Sequence, residues 1–354
     1  MVSTYICSTE TSAGKTSLAV GILRRFAQDV GSAGYIKPVG VSEKEIEGRL
    51  IDEDAIFVKQ VLNLPEPVEA LSPVVLKPQM ASKKGGQLEP ELAERIKDCH
   101  AQVGQGRKMV VVEGPPDAAV GSSVGLSAAK VIELIPVKPV LVVKYRGKAT
   151  VNTAMKAQKE WGGNLSGCIL NAVPEEHMDY AQDEIKSHLE GSGLPVFGVL
   201  PQDRALLGAP AMEMAEYLGG RVVCGAAGSD ILTENVMIGA RSLTSALIYF
   251  HRKKNKAVVA SSDRPDIQLA ALETSVSCIV STGPSEIDPL VLERAEMAGV
   301  PVIKVELDTV PALERLEEFL FNVRFRQVQK LQRVDALLSK GLDFARLYSS
   351  LQIG

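Results

Sequence analysis

The sequence has few aromatic residues and no surplus of either charge. Aromatic side chains make up 5% of the 354 residues, only one of them is tryptophan, and the formal net charge is -4. A mildly acidic chain has no general attraction for nucleic acid or an anionic membrane, so we expect neither as a partner. No apolar run approaches the roughly twenty residues that cross a bilayer. No basic patch precedes an apolar stretch at the amino terminus, so we expect no signal peptide.

Cysteine and histidine are also scarce. The five cysteines are odd in number, scattered along the chain, and lie mostly in apolar segments. This usage is typical of reduced, buried thiols in a cytoplasmic protein. None of the four histidines stands at a zinc-ligand spacing from the cysteines. We therefore expect a cytoplasmic protein without disulfides or a zinc site.

Short, apolar, β-branched segments alternate with helical patterns, which predicts an α/β fold with parallel sheets and crossover helices. A first α/β domain is predicted over residues 1–223. The small, Gly-rich stretch CGAAGSD at 224–230 predicts a linker. A second, smaller α/β domain is predicted over 231–325. Residues 326–354 keep a helical period, which predicts a C-terminal helical arm; packing against a neighbour is the commonest use of such an arm.

The stretch STETSAGKT, residues 8–16, lies between a predicted strand and the apolar helix SLAVGILRRF. Backbone N–H groups and the positive helix end attract phosphate, Lys15 adds a charge, and Thr16 can bind magnesium. The opening glycine of the usual P-loop spacing is missing, and a plain turn is the alternative. The context favours a P-loop NTPase-type parallel sheet with flanking helices. The nucleotide contacts predicted within the loop are Thr9, Thr11, Ser12, Ala13, Gly14, Lys15, Thr16 and Ser17.

Carboxylates near the loop could complete a magnesium site. Glu113 ends the strand KMVVVE, at the sheet edge where ligands of open α/β sheets sit. Asp54 opens a helix after the second strand, and Asp52 competes with it for the same role. Both aspartates would equally suit a helix N-terminus without any metal. Lys37 leaves the second strand and could face a γ-phosphate, although it could also be a surface residue.

These residues together resemble the dethiobiotin synthetase group of P-loop proteins, which includes cobyrinic acid amide synthases. The loop of that family reads G-T-x-T-x-x-G-K-T, one residue longer than the ordinary P-loop, and STETSAGKT fits it with Ser8 at the first glycine position. The Lys-Pro, Asp-Ala and Glu-Gly motifs of the family match Lys37-Pro38, Asp54-Ala55 and Glu113-Gly114.

The resemblance implies that the loop binds ATP and Mg²⁺. It implies that Lys15 and Lys37 contact the phosphates and act in catalysis where there is any. It places Thr16, Asp54 and Glu113 around the metal. An asparagine that ends a later strand contacts adenine in the family and matches Asn171. The stretch that contains Leu200 and Pro201 matches the region near the base.

The chain departs from the family at two positions. Synthetases of the group have glycines after the Glu-Gly pair, and the N–H groups of those glycines can hold an acidic substrate. This chain has Pro115 and Pro116, which remove two donors and stiffen the loop, so dethiobiotin synthesis is doubtful. Glu10 stands where related Min-type ATPases carry a second lysine, so ATP-driven clasping of that kind is not supported.

The second half of the chain resembles a DRTGG domain. Its name-giving residues match Asp263-Arg264 and Thr282-Gly283, with Pro284 in place of the last glycine. Arg264 could bind an anion and Asp263 could cap a helix, or both could serve capping and pairing alone. We treat Asp263, Arg264, Thr282 and Gly283 as a candidate second ligand site. A P-loop domain followed by DRTGG resembles the N-terminal part of large phosphotransacetylases. The sequence lacks their acetyl-transferring domain, so phosphate acetyltransferase activity is not expected.

Three functions are hypotheses. In the first, the chain is an ATP- and Mg²⁺-binding regulatory protein whose DRTGG domain serves sensing or assembly, as a homo-oligomer with a separately encoded partner enzyme. In the second, it is an ATP-dependent ligase that activates a carboxylate or carbamate, or a weak ATPase, with Lys15 and Lys37 stabilising the transferred phosphoryl group. In the third, it is a degenerate P-loop fold kept for assembly, with Ser8 as the first sign of decay.

Overall fold

The protein is described by a computed structural model over residues 1–42, 44–81, 83, 85–161, 164–239 and 243–353. The chain separates into two compact units. The first comprises Met1–Gln202 and Phe325–Gly354, and the second comprises Asp203–Arg324. Residues 240–242 of the predicted second domain and residue 354 of the predicted arm lie outside the described residues. Within the described ranges, no helix combines the length and apolar character needed to cross a membrane.

The first unit contains the larger sheet. The strands of the first unit are β1 (Val2–Cys7), β2 (Ala33–Ile36), β3 (Val39–Val41), β4 (Glu45–Ile46), β5 (Arg49–Leu50), β6 (Val74–Leu76), β7 (Met109–Glu113), β8 (Lys138–Lys144), β9 (Gly167–Val173) and β10 (Val196–Pro201). Six of them form one sheet in the order β10-β9-β8-β1-β7-β2, and every pairing is parallel. Strand β7 is buried throughout, as expected when helices cover both faces of a parallel sheet. The predicted α/β class with a parallel sheet is confirmed.

Helices flank this sheet. They are α1 (Lys15–Asp29), α2 (Glu53–Leu62), α3 (Val68–Leu71), α4 (Pro78–Ala81), α5 (Pro90–Gly104), α6 (Ala128–Leu134), α7 (Ala149–Glu160), α8 (Met178–Tyr180) and α9 (Lys186–Gly191). The strand register brings three chain segments to one edge of the sheet. Ile6 of β1 pairs with Glu113 of β7, and Ile36 of β2 pairs with Val112. The loop after β1, the end of β7 and Lys37 after β2 therefore meet at the same carboxyl edge.

The second unit has its own five-stranded sheet. Its strands are β11 (Arg221–Cys224), β12 (Asn235–Ile238), β13 (Lys256–Ser261), β14 (Val276–Thr282) and β15 (Val302–Lys304), in the order β11-β15-β14-β13-β12. Its helices are α10 (Ala211–Leu218), α11 (Leu243–Phe250), α12 (Pro265–Leu272), α13 (Pro289–Ala298) and α14 (Thr309–Phe321). Alternate residues of the central strands enter two cores, one on each face of the sheet.

The boundary between the units lies before the predicted linker at 224–230. The second unit begins at Asp203, because β11 pairs antiparallel with β15 and so belongs to the second sheet. The Gly-rich stretch that predicts a linker contains a short 3₁₀ helix, Ala226–Gly228, within that unit. Low periodicity in CGAAGSD therefore marks a turn within the second unit and not the connection between the units.

The last residues also differ from the prediction of a separate arm. They form α15 (Leu331–Gly341) and α16 (Phe344–Leu351) and belong to the first unit. Helix α15 packs against α1 at Gly21, where an added Cβ would lie 2.7 Å from Val334 Cγ1. Arg24 of α1 pairs with Asp335 at 2.8 Å. The backbone N–H of Asp343 donates to the carbonyl of Phe197 in β10. We call residues 325–353 the return segment.

Candidate functional site

The loop between β1 and α1 contains two residues with left-handed backbone conformation. Ser12 and Gly14 have left-handed φ angles of 52° and 91°. A side chain at Gly14 would collide with the amide of Asn171. Both this collision and the left-handed φ angle require glycine at this position. The Asn171 amide itself donates to the carbonyl of Ala13 at 2.8 Å. Asn171, the residue predicted to contact adenine, therefore lies against the loop.

Lys15 is buried and points into the loop. Its ammonium donates to Ser8 Oγ at 2.6 Å and to the carbonyl of Pro116 at 2.8 Å. Burial lowers the pKa of Lys15 to about 8, although the nearby Glu113 carboxylate acts in the opposite direction. Ser8 in turn donates to the carbonyl of Glu10. The residue that replaces the first loop glycine thus holds the ammonium through its hydroxyl, a role that the sequence analysis did not foresee.

Glu113 connects the loop to the second strand. Thr16 Oγ1 donates to its Oε1 at 2.6 Å, and the Tyr35 hydroxyl donates to its Oε2 at 2.8 Å. Burial raises the pKa of Glu113, while Lys37 opposes that rise. Tyr35 was not a predicted site residue. It lies in the strand segment GYIKPV, in which a buried tyrosine suggests core packing and gives no separate signal of a site.

Lys37 is the centre of a carboxylate cluster. Its Nζ lies 2.6 Å from Asp54 Oδ2, 3.1 Å from Asp52 Oδ2 and 4.0 Å from Glu113 Oε1. Burial alone would lower the pKa of Lys37, but these carboxylates outweigh it and raise the pKa. Asp52 also caps α2 by accepting from the N–H of Ala55. The two aspartates between which the sequence left the choice open therefore share the same lysine.

Asp54 has a further partner from the far end of the chain. Arg326 Nε donates to Asp54 Oδ1 at 2.8 Å, and its NH1 donates to Glu53 Oε2 at 2.8 Å. The sequence analysis missed Arg326. Asp54 and Arg326 are 272 positions apart, and no motif surrounds the arginine.

The structure brings together the predicted catalytic and metal-binding residues. Thr16, Lys37, Asp54 and Glu113 form one polar network of hydrogen bonds and ion pairs at the carboxyl edge of the sheet, and the charge of Lys15 interacts with that of Glu113. The two residues predicted near the base, Leu200 and Pro201, do not join this network. Leu200 is fully buried, with its side chain against Gly341 of the return segment, and Pro201 is the last residue of β10. In the loop itself, Thr11 and Ser12 are exposed and Thr9 is half-buried.

The predicted second ligand site is more open. Asp263 is exposed, and Arg264 pairs with Asp266 at 2.9 Å near the surface. Thr282 is buried and shares a hydrogen bond with Thr309, and Gly283 has a left-handed φ of 88°. A buried lysine that the sequence analysis missed, Lys304, lies among these segments. Its ammonium donates to Ser262 Oγ and to the carbonyls of Gly283 and Ser285.

The predicted metal ligands are already bound by other side chains. Within the ranges that the structure describes, no group of three or more His, Cys, Asp and Glu side chains is arranged to hold a metal ion. The predicted set of Thr16, Asp54 and Glu113 contains two carboxylates and a hydroxyl. Both carboxylates are hydrogen-bonded to other side chains of the network.

Two families match the chain. Residues 3–209 match an AAA domain, and residues 213–319 match a DRTGG domain. The phosphate acetyltransferase of Haemophilus influenzae is 22% identical over 369 residues, which cover 93% of this chain and 50% of the relative. The ATP-dependent dethiobiotin synthetase of a Janthinobacterium species is 26% identical over 221 residues, covering 60% of this chain and 93% of the relative.

The chain spans about half the length of the curated phosphate acetyltransferases that it matches. Among solved structures, the CBS and DRTGG regulatory region of Clostridium perfringens pyrophosphatase, complexed with diadenosine tetraphosphate, is 16% identical. The match covers 49% of this chain and 87% of the pyrophosphatase chain, with a TM-score of 0.28. The suspected architecture is confirmed by the two family matches. The chain belongs to the AAA-domain family through residues 3–209, a dethiobiotin synthetase-like P-loop domain, which is followed by a DRTGG domain.

Proposed function

We propose that the chain is a nucleotide-binding regulatory protein that takes ATP with Mg²⁺ at the loop between β1 and α1. The observation that carries the proposal is the network of Lys15, Thr16, Lys37, Asp54 and Glu113 around that loop. Two buried lysines beside left-handed loop residues and the N-terminus of α1 provide positive charge and N–H donors for phosphates. The DRTGG unit would serve as a sensing or assembly module, in a homo-oligomer that acts on a separately encoded partner enzyme.

The network also suits magnesium as a companion of the nucleotide. Thr16 and Glu113 offer a hydroxyl and a carboxylate that already lie 2.6 Å apart, and Asp54 joins them through Lys37. Oxygen donors of this kind are the ones that Mg²⁺ prefers. Thr16, Asp54 and Glu113 would hold the ion, which supplies charge neutralisation of the phosphates when bound. Lys15 and Lys37 would bind and orient the phosphate oxygens.

Isothermal titration with ATP and Mg²⁺ tests this proposal. Lys15→Ala removes a buried charge that would contact phosphate, so we expect ATP affinity to fall by about 10- to 100-fold, corresponding to one charge-assisted contact. Lys130→Ala changes an exposed lysine of α6 that pairs with Glu133 and serves as the matched control. Absence of any heat from ATP with the unmodified protein would contradict the proposal and favour a fold kept for assembly alone.

A second candidate, an ATP-dependent ligase, is favoured by one observation. A cavity of about 670 Å³ is lined by Asp52, which pairs with Lys37, by the basic side chains Arg49, Lys77 and Arg95, and by the acidic side chains Glu45 and Glu69, of which Glu45 pairs with Lys77. Such a cavity could receive an acidic second substrate next to the phosphate-binding lysines. Opposing this, Pro116 has no N–H to offer, and its carbonyl accepts from Lys15. ADP release that depends on an added carboxylic acid would favour the ligase, whereas ATP binding without such release would favour the regulator.

A further inference from the structure

Arg326 reaches the proposed nucleotide site from the return segment. Its guanidinium binds two acidic residues of the first turn of α2, Asp54 through Nε and Glu53 through NH1, both at 2.8 Å. The arginine side chain is 22% exposed and the Asp54 side chain 12%, so this pair is much less hydrated than an ordinary surface salt bridge. The contact connects the return segment directly to a predicted magnesium ligand.

The arginine is held in place by its neighbour. Phe325 is buried and packs edge-on against Phe57 of α2, with ring centroids 5.8 Å apart and an interplanar angle of 85°. The aromatic pair fixes the return segment on the same helix that carries Glu53 and Asp54. A cation near a helix N-terminus is opposed by the helix dipole, so the two carboxylates are what retain the guanidinium there.

The two oxygens of Asp54 have different partners. Oδ1 accepts from Arg326 and Oδ2 accepts from Lys37. Arg326 therefore fixes the carboxylate from the Oδ1 side while Lys37 holds it from the Oδ2 side. Glu53 compensates the charge of Arg326. The pair of Arg326 and Glu53 therefore adds no net positive charge that would repel Mg²⁺.

We propose that Arg326 is a positioning residue for Asp54, which it holds by Oδ1 so that Oδ2 stays beside Lys37 at the proposed site of magnesium and phosphates. This inference rests on the proposed function. Partners that orient a metal ligand usually change metal affinity by 10- to 100-fold when they are removed. The return segment follows directly on Arg324, the last residue of the second unit. Arg326 is thus the site residue closest in sequence to the end of the DRTGG unit.

The test is to measure ATP affinity with saturating Mg²⁺ and again in EDTA, for the unmodified full chain and for Arg326→Gln. We expect Arg326→Gln to weaken binding of Mg²⁺-ATP about tenfold and to leave binding in EDTA within about twofold. Asp335→Asn is the matched control, because it breaks the pair with Arg24 elsewhere in the return segment. This control should change neither affinity.

Three results would overturn the inference and leave the proposed function standing. The first is tighter binding of Mg²⁺-ATP by Arg326→Gln, which is expected if the arginine is a competing cation. The second is an equal loss of ATP affinity with and without magnesium, which is expected if the arginine has a merely structural role. The third is no change in ATP affinity. An unmodified protein whose ATP affinity ignores Mg²⁺ would overturn the proposed metal and this inference together. Glu53→Gln provides a second variant should Arg326→Gln fail to fold. It leaves the arginine charge uncompensated and should also weaken Mg²⁺-ATP binding selectively.

Discussion

Each unit buries a lysine that spans two strand ends at the carboxyl edge of its sheet, Lys15 in the first unit and Lys304 in the second, and these two lysines have similar surroundings. Lys15 donates to Ser8, which follows β1, and to the turn Gly114-Pro115-Pro116, which follows β7. Lys304 donates to Ser262, which follows β13, and to the turn Gly283-Pro284-Ser285, which follows β14. In both units a lysine therefore ties a serine after one strand to a Gly-Pro turn after the neighbouring strand.

The difference between the two lysines lies in how many donors are used. An ammonium group has three donors. In the part of the chain that the structure describes, Lys15 has two acceptors and Lys304 has three. Lys15 therefore has a donor available for a phosphate, and Glu113 lies close enough to influence its charge. Lys304 has its donors satisfied by the protein, so it is expected to stabilise the Gly283 turn and not to bind a ligand.

The largest expected effect is on the stability of the second unit. Lys304→Met removes three charge-assisted hydrogen bonds and takes the lysine donor from the carbonyl of buried Gly283, so the free energy of unfolding should fall by about 3 kcal/mol. Calorimetry measures the change, with Lys253→Met, at an exposed position of the same unit, as control. ATP affinity should not change. A loss of ATP binding with unaltered stability would reverse the roles assigned to the two lysines.

A smaller effect is expected from pH at Lys15. Its pKa of about 8 in the folded chain lies below the usual value of 10.5, so the free protein loses this proton as pH rises above 8. Phosphate binding favours the ammonium, and ATP affinity should therefore fall towards tenfold per pH unit between pH 8 and 10. Because the pKa of Lys15 is lower in the folded than in the unfolded chain, the free energy that its burial costs in folding decreases as pH rises over this range. Lys15→Arg stays charged and should give a flat profile of ATP affinity, and an equally steep profile in that variant would assign the effect to another group.

The smallest effect is expected at Ser8. Ser8→Gly restores the loop glycine of the related synthetases and removes one acceptor of Lys15. We expect the free energy of unfolding to fall by about 1 kcal/mol, the net value of one hydrogen bond. ATP affinity should stay within about threefold, because the ammonium keeps Pro116 as a partner. A large gain in ATP affinity would instead support the view that serine marks a decaying loop.

The sequence was informative wherever site residues follow strands. Thr16, Lys37 and Glu113 could be grouped in advance because parallel strands end at one edge, and the register of β1, β7 and β2 has that arrangement. The role of Ser8 could not be predicted, because it depends on the direction that the Lys15 side chain takes inside the loop. The role of Lys304 could not be predicted, because it depends on hydrogen bonds to turns that follow two other strands. Arg326 was missed for a similar reason, since its helical, basic surroundings predicted only an arm.

The boundaries of the units were harder to predict than their class. The segment RVVC resembles a final strand of the first sheet, yet β11 joins the second sheet, where it pairs antiparallel with β15. Helix α15 has an apolar face typical of any amphipathic helix. Nothing local in that pattern indicates that its partner is Gly21 of α1.

The return segment also fixes an order of events during synthesis. A growing chain usually completes its amino-terminal domain first. Here α15 packs on the face of α1 around Gly21. That face stays exposed until Val334 and its neighbours have left the ribosome. The contiguous second unit, Asp203–Arg324, has all of its residues available earlier. Of the two units, the one that carries the phosphate loop is therefore completed after the other, so a nascent chain cannot present the finished loop surroundings until the return segment has been synthesised.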